Sequence, residues 1–153
     1  MSTPKNKKAP NSWVRRRSNE VTLSLTTTRK MLPLIKQIAS DIKNGWDRLT
    51  KLEAEQVDLD QRRRQLSWPD RSRRYRIAED ISRQQNHLQE AVAELEQLQV
   101  VMVDPVLGEV TFPTVMNGRK AYFIWRTGAD DIGWWCYAND PTRQALGTSW
   151  RRE

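Results

Sequence analysis

Two apolar seams in helical register, separated by one proline-containing break, constrain this chain more than any other feature. Ile35, Ile38, Ile42, Leu49, Leu52, Leu59 and Leu66 follow one another at steps of three, four or seven residues. That spacing keeps side chains on one face of an α-helix and is the heptad pattern of a coiled coil. Gly45, Gln56 and Arg63 are its breaks, and Leu32, Leu34 and Trp46 widen the apolar face near its start. Ser24, with Leu23 before it, stands where an N-cap belongs. Pro33 has no N–H and its ring clashes one turn back, so it either starts the helix or kinks it. Ser67-Trp68-Pro69-Asp70 interrupts the pattern, and Asp70 is the expected cap of a second helix. A second seam runs through Ile77, Ile81, Gln84, Leu88, Ala91, Leu95 and Leu98 at alternating steps of four and three. Two long helices joined by a few residues lie antiparallel, and at ~1.5 Å per residue the arm reaches roughly 45–55 Å.

Past Val103 the helical period disappears. Asp104-Pro105 and Leu107-Gly108 mark turns, and Val110-Thr111-Phe112 with Val115 reads as a strand. Asn117-Gly118 is a strong hairpin signal of type I′, followed by a second strand over 119–126 and a third over 132–138. Three strands form a meander too small to stand without a helix beneath it, and the wide face at Leu32, Leu34 and Trp46 is its natural seat. The expected fold is α+β: a long antiparallel helical hairpin with a small antiparallel three-stranded sheet docked at its base. Its divisions are a disordered basic tail at 1–21, the hairpin at 22–103, the sheet at 104–147 and a short tail at 148–153.

The 153 residues carry a formal net charge of +7, distributed in two patches. Residues 1–20 hold Lys5, Lys7, Lys8, Arg15, Arg16 and Arg17 against Glu20. Residues 60–76 hold Arg62, Arg63, Arg64, Arg71, Arg73, Arg74 and Arg76 against Asp60 and Asp70. Everything else is mildly acidic. Clustered Arg and Lys bind phosphate backbones through counterion release, and Trp68 between the two Arg groups offers a ring for a base to stack on. Cations at 71–76 also oppose the dipole at a helix N-terminus, where stability alone favours acids. The plainer reading of the same residues is a turn kept soluble by charge. An anionic membrane surface is a weaker reading, since neither segment has an apolar face to insert.

With mean hydropathy −0.81 and no apolar run near the ~20 residues of a membrane span, the chain reads as soluble, with no membrane insertion. The first twenty residues lack the apolar core of a secretory signal. A single cysteine, Cys136, excludes an intrachain disulfide and suits the cytoplasm; a single histidine, His87, excludes a Cys/His zinc cluster. No metal or cofactor is expected.

In the C-terminal third, Gly108-Glu109-Val110-Thr111-Phe112-Pro113, Trp125-Arg126-Thr127-Gly128, Ile132-Gly133-Trp134-Trp135 and Arg143-Gln144-Ala145-Leu146 occur in that order. Together with Met31-Leu32-Pro33-Leu34 they resemble a bacterial family called domain of unknown function 2203, over about residues 22–147. The resemblance implies an architecture, a long helical hairpin before a short strand-rich end, and no particular reaction. The family pattern carries Asp, Cys, Glu and His where this chain has Thr111, Ile124, Ala129 and Cys136.

An enzyme reading would rest on the sheet, where Trp125, Arg126, Trp135, Cys136 and Arg143 form a candidate ligand site. A Cys nucleophile needs a base or cations to lower its pKa, and His87 belongs to the second helix, away from the sheet. A packed strand thiol is the plainer role for Cys136, and a solvated turn for Asp130-Asp131. Arg126 and Arg143 either clamp an anion or pair with Asp104, Asp130 or Asp140. No Gly-rich phosphate loop, Ser/His/Asp order or H-x-x-x-H spacing occurs. Adjacent strand residues point to opposite faces, so Trp134 and Trp135 cannot both face the helices, and one of them offers a docking or dimer surface. The function expected is therefore noncatalytic binding or scaffolding, with nucleic acid as the candidate partner of tail and arm tip. The alternative is a homodimerising coiled-coil protein without nucleic-acid binding, and an enzyme comes last.

Overall fold

The computed structural model describes residues 21–147. The basic tail through Glu20 and the segment 148–153 lie outside these described residues. Helix α1 spans Leu25–Gln61 and helix α2 spans Trp68–Gln97. Ser24 caps α1, its Oγ accepting the Thr27 N–H at 3.1 Å, a bond of the kind worth about 1 kcal/mol. Pro33 does not start the helix; it lies inside α1, on the exposed side. The Arg29 carbonyl loses an N–H partner there, and burial of Leu32, Ile35, Ile38 and Ile42 carries the helix across the defect. At α2 the cap position belongs to Ser67, with Pro69 in the first turn where its missing N–H costs nothing and Asp70 one place further on. Asp70 therefore favours the helix as a charge at the positive end of the dipole, not as the cap.

The two helices run antiparallel. Gly45 of α1 meets Gln84 and Leu88 of α2, while nearer the tip Glu55 and Asp60 meet Arg73 and Arg74. Ile35, Ile38, Ile42, Leu49 and Leu59 are buried on one helix, and Ile77, Ile81, Leu88, Val92 and Leu95 on the other. Gly45, a break in the apolar seam, is itself buried: with no side chain it permits the close approach of α2. Near the base the buried position shifts from Ala91 to Val92. The end of α2 closes with the Val100 N–H on the Leu95 carbonyl and the Gln99 N–H on that of Glu96. This is a Schellman closure in which Gln99, at φ 69°, takes the left-handed position usually given to glycine.

The sheet has five strands rather than three: β1 Val101–Asp104, β2 Glu109–Met116, β3 Arg119–Arg126, β4 Trp134–Tyr137 and β5 Asp140–Ala145. All neighbours are antiparallel, in the order β1-β2-β3-β4-β5. The β2–β3 turn has the expected two residues, Asn117 at φ 54° and Gly118 at φ 73°, with Met116 opposite Arg119. Pro113 is tolerated within β2 because β1 has ended beside it, its last partner being Thr111. The Pro113 carbonyl instead accepts the Leu23 N–H at 2.8 Å, tying the entry to α1 onto the sheet.

Cross-strand partners share a face, so the register divides the sheet cleanly. Met102, Val110, Phe112, Phe123, Trp125 and Trp135 lie on the side that joins Ile35, Ile42 and Leu95 in one continuous core. Glu109, Thr111, Ile124, Arg126, Trp134 and Cys136 lie on the other. The loop after β3 is fastened to α1 as well: Lys36 Nζ donates to the Asp130 carbonyl at 2.9 Å, and Arg29 pairs with Asp131 at 3.3 Å. Trp125 Nε1 donates to the Ala129 carbonyl at 2.9 Å from within the core.

Candidate nucleic-acid interface

The tip of the hairpin separates its seven arginines into two kinds. Arg62 reaches Asp58 at 2.7 Å and Asp70 at 4.0 Å. Arg73 grips Glu55 through two nitrogens at 2.8 and 2.9 Å and Asp80 through a third at 2.7 Å. Arg74 reaches Asp60 at 2.9 Å. The Arg73–Glu55 and Arg74–Asp60 contacts cross from α2 to α1, Arg62–Asp58 closes the end of α1, and Arg73–Asp80 lies within α2. The hydrogen bonds donated by Arg73 hold the Glu55 carboxyl below its ordinary range, and donating to Glu55 and Asp80 raises the guanidinium in turn. Arg62 does the same to Asp58.

Arg63, Arg64, Arg71 and Arg76 form no ion pair among the described residues, and all four are exposed. The one side-chain hydrogen bond of these four, among the described residues, belongs to Arg76, whose Nε donates to the Ser72 carbonyl of its own helix at 3.4 Å. Trp68 is 75% exposed and Tyr75 77%. Residues 60–65 line a concavity at the end of α1. Tyr75 is absent from the sequence-level candidates, although its place seven residues after Trp68, on the same side of a helix, is a readable signal.

The candidate residues on the sheet do not come together as one site. Trp125 and Trp135 face the core, whereas Arg126, Cys136 and Arg143 belong to the opposite side. What unites the two arginines is Glu109, a carboxylate missed in the sequence because a single acid at a strand start carries no pattern. Its residue is only 3% exposed. Oε1 accepts from Arg126 Nε at 3.3 Å and from Arg143 Nη1 at 2.8 Å, while Oε2 accepts from Arg143 Nη2. The partner is thus Glu109 rather than Asp104, Asp130 or Asp140. Burial pushes the Glu109 carboxyl up, but Arg143 and then Arg126 together outweigh it and hold it below the ordinary range. Both guanidinium groups also lie over the Trp134 ring, at 5.6 and 6.0 Å. Trp134 is accordingly half-buried on this outer face while Trp135 packs inside.

Burial raises the Cys136 thiol above its ordinary range, and the nearby Arg143 offsets this only in part. At neutral pH the group is a protonated thiol, a poor nucleophile. His87 is exposed on α2. Among the described residues no three His, Cys, Asp or Glu side chains are grouped to hold a metal ion. Asp131 pairs with the Arg29 guanidinium at 3.3 Å and accepts the Ile132 N–H at 2.8 Å. Lys5, Lys7, Lys8, Arg15, Arg16 and Arg17 lie outside the described residues. Among the described residues no helix is long and apolar enough to cross a membrane.

No curated protein and no solved structure matches the chain. One family model does, under the description "Uncharacterized conserved protein", and it covers residues 22–144, from the entry to α1 into β5. The helical hairpin and the sheet packed at its base are thus parts of one family unit, and the chain belongs to that family, DUF2203.

Proposed function

We propose that the chain is a noncatalytic binding protein that engages the phosphate backbone of nucleic acid with its hairpin tip. The observation that carries this reading is the division of the tip arginines. Arg62, Arg73 and Arg74 are consumed in holding the helices together, and Arg63, Arg64, Arg71 and Arg76 project with their charge uncompensated. A turn that needed charge only for solubility has no use for four cations beyond its own acids. The tip lies at the far end of α2 from the sheet, about 45 Å along a helix of 30 residues, so it can enter a groove or meet a strand without steric hindrance from the base.

The test is the salt dependence of binding to a labelled duplex, measured by fluorescence anisotropy. Each phosphate contact contributes about −0.9 to the slope of log K against log salt for duplex DNA. Replacing Arg63, Arg64, Arg71 and Arg76 by Gln should therefore flatten the slope by about three to four and weaken binding at low salt. An unchanged slope refutes the tip as the contact. The full chain is used for both proteins, so that any share of the 1–20 segment is constant. Nucleic acid carried through purification, seen as nuclease-sensitive absorbance at 260 nm, is the simplest supporting observation.

A further inference from the structure

We infer that the solvent side of the first two turns of α2 is a stacking platform for unpaired bases, so that the tip takes a single strand in preference to a duplex. The inference rests on the phosphate-binding reading above and adds to it the form of nucleic acid. Trp68 and Tyr75 are more exposed than any other large apolar side chain among the described residues, at 75% and 77%. Seven residues apart on a helix, they lie within about 20° of one another around the axis and about 10 Å apart along it. Ile77, fully buried, is on the opposite side, toward α1. The two rings therefore form one stripe facing away from the hairpin seam.

The neighbours of the rings decide what can cover them. Arg71 stands one turn from each ring, exposed and without an ion pair, and Arg76, likewise exposed and without an ion pair, follows Tyr75 directly. No apolar side chain extends the stripe between the rings. Glu79, the next residue along it, is bound to Arg83 at 3.2 Å and closes it with an acid. A protein-binding helix face pairs its aromatics with large aliphatic neighbours, whereas the exposed apolar residues beside these rings are only Pro69 and Ala78. Alternating ring and cation is the arrangement that meets a strand presenting base, phosphate and base in turn, since every base has a stacking face and every linkage a charge. A duplex hides its base faces within the stack and offers phosphate, sugar and base edges, leaving both rings without a stacking partner.

The experiment compares the full-length protein, the variant W68A/Y75A and the variant R63E/R64E/R71E. Each is titrated against labelled oligouridine, oligothymidine and a mixed duplex of about twenty nucleotides, chosen to exceed a typical single-strand site. Base–aromatic stacking, lost on alanine substitution, is worth about 5- to 140-fold per base. The double aromatic variant should thus lose at least about tenfold on the single strands and less than about twofold on the duplex. The charge variant should lose both. Thermal melts followed by circular dichroism check that the variants remain folded, which the exposure of all five side chains favours. Unchanged single-strand binding by W68A/Y75A overturns the stacking platform while leaving the phosphate reading intact. Unchanged binding by the charge variant overturns both. If W68A/Y75A binds normally and instead converts a dimer to an 18.0 kDa monomer in light scattering, the stripe is a self-association surface and the inference falls.

Discussion

Gly45 of α1 stands directly against Leu88 of α2: a methyl group on Gly45 would lie 2.7 Å from Leu88 Cδ2 and 2.8 Å from Gln84 Nε2. Leu88 is fully buried, so it cannot swing aside into solvent. Alanine is the better helix former by about 1 kcal/mol, but overpacking a closed seam costs about 1–3 kcal/mol. Gly45→Ala should therefore lower stability by about 1 kcal/mol in urea denaturation. In a Leu88→Ala background, where the space exists, the same change should stabilise, giving a coupling of opposite sign in the double-mutant cycle. Additive effects would show that the helices are not in contact at this level.

Gly108 and Gly118 both have positive φ, at 66° and 73°, yet they should respond differently to alanine. A Cβ on Gly118 meets nothing within 4 Å, so only the left-handed backbone strain of about 1–2 kcal/mol applies. A Cβ on Gly108 would lie 2.1 Å from Thr127 Oγ1, which donates to the Gly108 carbonyl at 3.0 Å. Gly108→Ala must displace Thr127 and break the tie between the turn before β2 and the loop after β3. A loss of about 3 kcal/mol or more is expected, against about 1–2 kcal/mol for Gly118→Ala. Equal losses would mean that the contact with Thr127 is not held in solution.

The Glu109 cluster gives the protein an acid-sensitive element whose sign is set by the pairing. The carboxyl is held below its ordinary value of 4.5 by Arg143 and Arg126 despite its burial. A group with a lowered folded pKa binds protons more weakly in the native state. Its contribution is thus fully present above about pH 5 and is lost as pH falls through 4.5 toward the folded pKa. Glu109→Gln should be less stable at pH 7 by about 2–3 kcal/mol, with a shallower decline between about pH 5 and 3. A variant whose decline parallels that of the parent would assign the acid sensitivity elsewhere, for example to Glu55 beside Arg73.

Legibility in the sequence tracks the range of the interactions involved. Ile35, Ile38 and Ile42 with Ile77, Ile81 and Leu88 announce the hairpin, because burial in a helix is written at a period of three and four residues. Asn117-Gly118 announces the β2–β3 turn because the left-handed backbone is a local requirement. Strand β5 is invisible by the same logic: Asp140–Ala145 is exposed at every position, so its pairing with β4 is made by the backbone and leaves no apolar alternation. Strand β1 is masked because Val100, Val101 and Met102 continue the apolar character of α2. Glu109 and Arg143, 34 residues apart, meet only because β2 and β5 flank the same two strands. The arginines of the tip were legible as a cluster but not as two kinds, since Glu55, the partner of Arg73, lies on the other helix.

That division gives paired predictions of opposite direction at residues two apart. Arg73 is part-buried and bound to Glu55 and Asp80, so Arg73→Ala leaves two acids facing each other across the helices. Arg71 is exposed and forms no ion pair among the described residues, so Arg71→Ala removes only a free charge near the positive end of the α2 dipole. Thermal or urea unfolding should show a loss of about 1 kcal/mol for Arg73→Ala and a change within about 0.5 kcal/mol for Arg71→Ala. Binding should follow the reverse order, since the free guanidinium is the one available to a phosphate. Removal of Arg71 should lower affinity for a labelled strand at low salt and reduce the magnitude of the salt slope by about one. Removal of Arg73 should leave that slope unchanged at temperatures where the variant is folded. If instead Arg73→Ala flattened the slope as much as Arg71→Ala, the ion pairs of the tip would be opening on contact with phosphate. The tip would then bind by exchanging its own carboxylates for the phosphates of the ligand's backbone.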